Sequence, residues 1–416
     1  MLPQAEAFLK GLFCAERSKR NIERMAEQNN QNYQSQHHFL SESPWSAQRL
    51  MQRIGLDTNK LFGDPEEQVL SVDESSEKKA GKNSVGVSRQ YNGNMGKTEN
   101  SQTAVYLSLS SGDKVGLINT RLFLPDEWLN DPKRCKKAGI PPEAIVKKSK
   151  PQLAVDMIKE TVDSGVKFGW VTADGLYGQS YEFCKALDEM ILKFVVDVHR
   201  DQHVYLNDPA PYANPRSPKG KLITKETHIK VQDYYNSLDK SKDFEKVKIR
   251  RGTKGWIKAD VHTVQVWVWN EKEQKARSRT LVIKKGDKLK FALSNIPVTE
   301  ATPQEFAFKQ GQRHWIERAF QDCKGELGMV EYQVRKFNAW YHHQALVMFA
   351  LQFVNRKRIE MQKDIPLLSV RDVRLMLIVT LKEQGAQMEN EINQMLVRHE
   401  QRIKDIERYY NENDYF

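Results

Sequence analysis

The chain has 416 residues and a formal net charge of +11 at pH 7, which is room for a large core and two or three structural units. The excess of lysine and arginine favours a polyanionic partner, although charge alone does not establish one. The four cysteines lie far apart without zinc-site spacing, which argues against a structural zinc and favours reduced thiols. Lacking a signal-peptide core and an apolar run of about 18 residues, the sequence predicts a soluble cytoplasmic protein with no membrane partner.

The N-terminal region, residues 1–62, is predicted to be helical, with a polar loop at 29–38. Its basic residues are expected on one face of a helix that could contact DNA, and they are Arg17, Lys19, Arg20 and Arg24. A solvated helix surface is the commoner explanation of such a run, so both interpretations stay open.

From residue 68 the hydrophobic period changes to that of strands. Predicted strands are 69–73, 84–91, 103–110, 116–124, 168–174 and 193–199, with helices at 151–165 and 181–191. A later β-rich segment contains predicted strands at 261–269, 279–285 and 289–295, and the helical pattern returns after Pro303 through about residue 360. This order favours an α/β fold, with a mixed sheet flanked by helices and a β-rich insertion.

Two aspartates end predicted strands. Asp73 ends the strand 69–73, and Asp174 ends the apolar strand 168–174. Strand ends at a change of strand order form the ligand crevice of open sheets, and hard divalent cations prefer oxygen ligands there. Taken singly, each aspartate is more often a turn or cap residue.

A third carboxylate lies in the helical segment 313–324. On a helix, Arg313, Glu317 and Lys324 fall within about 40° of one another. An apolar stripe beside that arc is formed by Ile316, Phe320, Cys323 and Leu327. One carboxylate between two cations suits a site that handles metal and phosphate, whereas the simpler alternative is an amphipathic helix with an Arg–Glu pair.

These segments resemble the bacterial insertion-sequence DDE transposases, in the groups numbered four and seven hundred and one. VLSVDESSEKKAGKNSVGVSRQYNG is similar to the block with the first acid, FGWVTADGLYG to the second, and RHWIERAFQDCKGELG to the third. The resemblance covers nearly all of residues 5–360. The family pattern in the third block is a tyrosine followed at fixed spacings by an arginine, a glutamate and a lysine. Arg313, Glu317 and Lys324 fit this spacing, but Gln310 stands at the position of the tyrosine.

The resemblance implies an RNase H-like catalytic core with metal ligands at Asp73, Asp174 and Glu317. These catalytic residues would hold two Mg²⁺ ions, for which Mn²⁺ could substitute, while Arg313 and Lys324 would contact a phosphate near the cleaved end. The implied domains are a helical end-binding region at 1–62, a catalytic core at 63–204 and 306–360, an insertion at 205–305 and a C-terminal helical region at 361–416.

The implied activity is Mg²⁺-dependent cleavage at the element ends, followed by transfer of the 3′-hydroxyl into target DNA. The implied partners are double-stranded DNA, as terminal inverted repeats and target, and a second copy of the chain, in a nucleoid-associated homodimer in the bacterial cytoplasm. Two alternatives stay open: a transposase-derived DNA-binding protein without cleavage activity, and an interaction protein whose basic faces meet acidic proteins.

The insertion contains a basic turn, RRGTKGW at 250–256. Arg250, Arg251 and Lys254 are expected to contact backbone phosphates, and Trp256 is expected to stack on an unpaired base. The alternative is a basic turn whose tryptophan packs on the small sheet.

Overall fold

The structure is a computed structural model that describes residues 2–28, 32–93, 95–213, 222–252, 255–382, 392, 396–397 and 399–408. It divides into two compact units. Unit 1 comprises residues 1–64, 73–167 and 315–416, and unit 2 comprises residues 65–72 and 168–314. Within the described ranges, no helix is both long and apolar enough to cross a membrane.

The elements of the first part of the chain are α1 (Leu2–Cys14), α2 (Ile22–Gln28), α3 (Tyr33–Ser41), α4 (Ala47–Phe62), a 3₁₀ turn (Pro65–Glu67), β1 (Val69–Lys78), β2 (Ser88–Asn92), β3 (Lys97–Ser111), β4 (Lys114–Leu122), α5 (Asp126–Leu129), α6 (Pro132–Ala138), a 3₁₀ turn (Pro142–Ala144) and α7 (Lys150–Asp163). They continue with β5 (Trp170–Ala173), α8 (Gly175–Gly178), α9 (Tyr181–Glu189), β6 (Phe194–Val198), β7 (His203–Val204), β8 (Tyr212–Ala213), β9 (Leu222–Ile223), β10 (Ile229–Lys230), α10 (Val231–Ser237), β11 (Glu245–Gly252), β12 (Gly255–Asn270), β13 (Lys275–Lys285), β14 (Leu289–Ser294), α11 (Pro303–Gln312), α12 (His314–Glu326), α13 (Phe337–Glu360) and α14 (Val370–Lys382).

Unit 2 contains a mixed sheet in the order β11-β12-β13-β14-β6-β5-β1. β5 pairs in parallel with both β1 and β6, and the strands from β6 outward to β11 pair antiparallel. The strands of the insertion therefore extend the parallel strands, because β14 pairs with β6 from Phe291 opposite Val198 to Ser294 opposite Val195. In unit 1, β3 pairs antiparallel with β2 and β4. The predicted mixed sheet flanked by helices is confirmed.

The predicted strands overlap the observed ones, with differences at the end of β1 and at the start of β2. The prediction that Asp73 ends a strand is wrong, because β1 continues to Lys78. Ser75 and Ser76 are buried in this continuation, so the polar composition after Asp73 does not end the strand.

The matching elements are β3, β4, β5 and β6 and, in the insertion, β12, β13 and β14. The strand predicted at 84–91 begins only at Ser88. Gly86 has a φ of +73°, which is outside the extended region, so pairing starts after it.

The polar segment predicted as a loop at 29–38 is partly helical. Residues 29–31 lie outside the described residues, but α3 covers the rest from its first turn onward. Asn32 caps this helix, since its Oδ1 accepts a hydrogen bond from the Ser35 N–H at 3.0 Å. Phe39 and Leu40 are buried in the core of unit 1. The cap and these two apolar side chains outweigh the polar composition of the segment.

The helical stretch predicted from Pro303 to about residue 360 is interrupted twice. Arg313 is the C-cap of α11, so it lies outside the helix that contains Glu317. A second break separates α12 from α13, and in it Gly328 adopts a φ of +67°. The prediction that Arg313, Glu317 and Lys324 share one helix is therefore wrong for Arg313.

The cores of the two units are built differently. In unit 1 the predicted stripe of α12 is buried, with Ile316, Cys323 and Leu327 at 0% and Phe320 at 8% exposure. In unit 2 the sheet is apolar on both faces. One face packs beneath α11 through residues that include Val195, Val282, Ala292 and Phe306, and the other packs against α10 through residues that include Leu281, Phe291 and Val231.

The prediction of a basic DNA-contacting helix face in the N-terminal region is wrong for Arg17, Lys19 and Arg20, because these residues lie in the connection between α1 and α2. Arg20 is in addition only 1% exposed. Its guanidinium donates to Glu331 Oε1 at 2.7 Å and to the Gly325 carbonyl at 3.2 Å. Burial lowers the pKa of Arg20, while Glu331 opposes that shift. Arg20 therefore acts as a buried ion-pair residue and does not face a ligand.

Replacing Glu331 with glutamine is expected to lower the free energy of unfolding by about 3 kcal/mol, because the Arg20 charge would stay buried without its counter-charge. Urea unfolding followed by circular dichroism measures this change.

The control is Glu16→Gln, which removes an ion pair to Lys19 at 2.6 Å whose side chains are 62% and 69% exposed. Exposed pairs contribute little, so this variant should stay within about 0.5 kcal/mol of the parent. Equal effects of the two substitutions would show that the buried pair is not a stabilising contact.

Candidate functional site

The two candidate aspartates follow paired positions of parallel strands. Val72 of β1 lies opposite Ala173 of β5, and the next residue along the chain is Asp73 in one case and Asp174 in the other. The strands before them are fully buried. The register is supported by a 2.8 Å hydrogen bond between the hydroxyls of Ser71 and Thr172. Asp73 belongs to unit 1 and Asp174 to unit 2.

Each aspartate also accepts a hydrogen bond from the local backbone. Asp73 Oδ1 accepts from the Glu74 N–H at 2.8 Å, and Asp174 Oδ1 accepts from the Leu176 N–H at 2.9 Å. Asp174 is the N-cap of α8, as the simpler interpretation of a strand-end aspartate predicts. A carboxylate offers about four lone-pair sites, so a capping bond is compatible with metal ligation by the same group.

The turn after Asp174 depends on glycine. A Cβ on Gly178 would lie 2.0 Å from the backbone oxygen of Asp197, and one on Gly175 would lie 2.5 Å from the His199 ring. The backbone of α8 therefore packs directly against the end of β6. Tyr177, between the two glycines, is fully buried. This close approach explains the Gly-Leu-Tyr-Gly sequence that follows the aspartate.

Asp197, an acidic residue near the end of β6, contacts both Gln310 and Arg313. Gln310 Nε2 donates to Asp197 Oδ1 at 2.6 Å, and Arg313 Nε lies 3.7 Å from Asp197 Oδ2. Gln310 is 5% exposed. The amide at the position where the family pattern has tyrosine therefore has a structural contact of its own. Asp197 was not predicted, although the strand-end rule that selected Asp174 also applies to it.

Glu317 and Lys324 both lie on α12 in unit 1, and Glu317 is exposed. Burial lowers the pKa of Lys324, and the nearby Glu77 opposes that shift. Burial also raises the pKa of Glu77, against the effect of Lys324 and Lys79. Glu77 was not predicted. Glu77 could have been predicted from the alternation of side chains along β1, which puts Glu77 on the same face as Asp73.

The basic turn of the insertion is a β-hairpin. Arg251 lies opposite Trp256, and Gly252 lies opposite Gly255. Trp256 is half-buried, and the Lys248 ammonium lies 5.3 Å from its ring centroid. Arg250 is half-buried and acts electrostatically on Lys284 of β13. Lys254 and the side chain of Arg251 lie outside the described residues.

No group of three or more His, Cys, Asp or Glu side chains is positioned to hold a metal ion among the residues that the structure describes. The candidate ligands Asp73, Asp174 and Glu317 are nevertheless all carboxylates, which is the donor type that Mg²⁺ prefers. The two aspartates are half-buried and Glu317 is exposed. The donor chemistry therefore fits a hard divalent ion.

Comparison with known proteins identifies the class. The family model described as "DDE superfamily endonuclease" matches residues 3–256, which is more than half of the chain. The chain therefore belongs to the DDE superfamily endonucleases. The matched residues include Asp73 and Asp174, while Glu317 lies beyond them.

The chain is also similar to an individual curated protein, "Probable transposase for insertion sequence element IS701" of Microchaete diplosiphon. The two are 28% identical over 308 residues, which covers 74% of this chain and 70% of the relative. The predicted membership among insertion-sequence DDE transposases is confirmed by the two comparisons, which also support the RNase H-like fold class and a DNA transposase function.

Replacing Gly178 with alanine is expected to lower the free energy of unfolding by about 3 kcal/mol, because the new methyl group would overlap the backbone oxygen of Asp197. Thermal unfolding followed by calorimetry measures the change.

Gly286→Ala is the matched control in unit 2, since a Cβ there would meet Ala259 at an ordinary 3.7 Å. This control should change stability by less than about 0.5 kcal/mol. A Gly178→Ala variant as stable as the control would contradict the close packing of α8 on β6.

Proposed function

We propose that this protein cuts DNA at the ends of an insertion element and joins the released 3′-hydroxyl to target DNA, with divalent metal ions as cofactors. The observation that carries the proposal is the register of β1 and β5, which puts the residues before Asp73 and Asp174 opposite each other. Membership of the DDE superfamily endonucleases, which generally use divalent metals, supports it. The similarity to a protein named as a transposase supports the DNA substrate.

We assign the metal ligands to Asp73, Asp174 and Glu317, which would hold two Mg²⁺ ions. When bound, such ions activate the attacking oxygen and stabilise the leaving oxygen of a phosphodiester. Asp73 is held within β1, and Asp174, directly after β5, is oriented by its cap bond to α8. Mn²⁺ should substitute, because it also accepts oxygen ligands.

Two cations would bind the phosphate that is attacked. Arg313 would contact it through the guanidinium held near Asp197, and Lys324 would contact it from α12 beside Glu77. Charge-assisted hydrogen bonds from such groups position the phosphodiester and stabilise the charge that develops on it. In the insertion, Arg250, Arg251, Lys254 and Trp256 would contact flanking DNA.

The reaction would proceed in two displacements at phosphorus. Water attacks the phosphodiester at the element end, a new P–O bond forms, and the 3′ oxygen leaves as a hydroxyl. That 3′-hydroxyl then attacks a phosphodiester of the target, and a target 3′-hydroxyl leaves. Because two element ends must be joined to one target, we also propose that two copies of the chain act together on DNA.

Replacing Asp174 with asparagine is expected to reduce cleavage of a plasmid carrying the element ends by about 1000-fold in Mg²⁺ or Mn²⁺, since several kcal/mol of transition-state stabilisation would be lost. Asparagine also caps helices well, so α8 should stay intact and binding of the ends should be unchanged. Gel analysis of nicked and linear products measures cleavage, and a gel shift measures binding.

Asp163→Asn is the matched control, because this exposed aspartate ends α7 and is not among the proposed ligands. Binding of the ends by the unaltered protein without any nicking would instead favour a transposase-derived DNA-binding protein. A crystal soaked in Mn²⁺ tests the ligands directly, and metal bound away from Asp73 and Asp174 would refute their assignment.

A further inference from the structure

A basic surface of unit 1 lies on the helix α6. This helix contains four basic residues and no acidic one, and they are Lys133, Arg134, Lys136 and Lys137. On a helix, the three lysines fall within about 100° of one another. All three are exposed, whereas Cys135 and Ala138, on the other side of the helix, are buried. The solvent-facing side of α6 is therefore occupied by lysines.

No neighbouring carboxylate neutralises these lysines. In the part of the chain that the structure describes, no Asp or Glu forms an ion pair with any of the three lysines of α6. Two other lysines in the same connection between β4 and α7 do have such partners. Lys147 lies 2.8 Å from Asp126. Lys148 lies 2.6 Å from Asp156. The positive charge of α6 therefore remains available to a partner outside the chain.

Helix stability accounts for part of this charge but not for Lys133. The C-terminal end of a helix favours cations, so Lys136 and Lys137 in the last turn are well placed. The N-terminal end carries partial positive charge and disfavours cations. Lys133 nevertheless occupies the second position of α6, directly after Pro132. A lysine at this position is unfavourable for the helix itself, which favours a role in binding.

Arg134 fixes α6 against the rest of unit 1. Its Cζ lies 3.9 Å from the ring centroid of Trp128, which is 1% exposed. Its guanidinium donates to the carbonyl oxygens of Lys82 at 2.6 Å and Val87 at 3.1 Å. The indole N–H of Trp128 also donates to Val87, at 2.9 Å. These contacts hold the exposed Lys82 beside α6. Four lysines thus form one surface, called here the α6 surface, and they are Lys82, Lys133, Lys136 and Lys137.

The α6 surface belongs to the same unit as Asp73. β1 continues from Asp73 to Lys78, a length of roughly 17 Å at the usual rise of a strand. Lys82 follows shortly after the end of β1. Because one turn of a DNA duplex is about 34 Å long, half a turn spans the distance from Asp73 to the end of β1. The α6 surface is therefore separate from the candidate metal ligands but within reach of the same duplex.

We propose that the α6 surface binds the backbone of double-stranded DNA beside the cleaved end. The choice of DNA rests on the proposed function, but the binding does not require cleavage. A duplex carries one phosphate charge per about 1.7 Å of its axis, so a stretch as long as α6, about 10 Å, presents roughly six phosphates. Lysine ammonium groups contact phosphates as point charges, and such contacts carry no base preference. The α6 surface therefore adds affinity for DNA of any sequence.

The test is the salt dependence of binding to a short labelled DNA duplex, measured by fluorescence anisotropy in EDTA so that no cleavage occurs. A variant that combines Lys133→Gln, Lys136→Gln and Lys137→Gln should weaken binding about 100-fold at about 0.1 M salt. It should also reduce the slope of log affinity against log salt by about two to three, since each lost phosphate contact removes about 0.9. Arginine at the same three positions keeps the charge and should leave the slope as it is in the parent.

The charge-matched control combines Lys114→Gln, Lys363→Gln and Lys404→Gln. These three lysines also belong to unit 1, and they form no ion pair with any residue in the described ranges. The control removes the same net charge away from α6, so it measures the general effect of charge on DNA binding. Both triple variants should melt close to the parent, because surface substitutions change stability little. Equal slopes for the two triple variants would overturn the proposal.

Polyglutamate is the probe for an acidic protein partner, which the charge of the α6 surface would also attract. The α6 variant should lose its affinity for DNA whether or not the parent binds polyglutamate. Loss of polyglutamate binding by this variant, with its slope on DNA unaltered, would refute the assignment to DNA.

This proposal and the proposed function fail separately. A protein that cleaves the element ends but shows equal slopes for the two triple variants refutes the α6 surface and leaves the proposed function intact. A protein that never cleaves in Mg²⁺ or Mn²⁺ but shows the reduced slope refutes the proposed chemistry and supports the α6 surface.

Discussion

The parallel pairing of β1 with β5 is the constraint on which the candidate site depends. Val72 and Ala173 are opposite in this register, and each is followed by an aspartate. Because side chains alternate along a strand, a slip of one residue would turn each buried side chain to the wrong face. Residues 69–72 of β1 and all of β5 are buried, and the Ser71–Thr172 hydrogen bond adds a polar contact specific to one register. The direction of both carboxylates follows from this packing.

The sequence predicted the parts of the site that depend on local periodicity. Asp73 and Asp174 were located because an apolar run of residues ends at each of them, although β1 itself continues past Asp73. The buried stripe of α12 was located by its helical spacing. The contact of Gln310 with Asp197 joins residues 113 positions apart, and no local pattern encodes such a contact. The same limit applies to Arg20 and Glu331, which are 311 positions apart. The basic composition of the N-terminal region suggested that Arg20 contacts DNA, whereas tertiary packing places its guanidinium in a buried ion pair with Glu331.

In the region after Pro303, a residue spacing typical of one helix spans the boundary between two helices. Arg313, Glu317 and Lys324 fit one helical arc, yet α11 ends at Gln312 and α12 begins at His314. Periodicity measures the angle between residues on an unbroken helix, so it does not detect where one helix ends and the next begins. The Arg313 side chain, at the C-cap of α11, lies near Asp197 of β6.

The pairing of β14 with β6 also has a consequence for solubility. Without the insertion, β6 would present an unpaired row of backbone groups, and such an edge is a template for aggregation. The insertion covers it and moves the edge of the unit 2 sheet outward to β11. On β11, buried Val247 and Ile249 alternate with the basic residues Lys246, Lys248 and Arg250. Repulsion between such positively charged strands disfavours edge-to-edge pairing of two copies. Basic residues that are suited to contact DNA would therefore also reduce aggregation through the sheet edge.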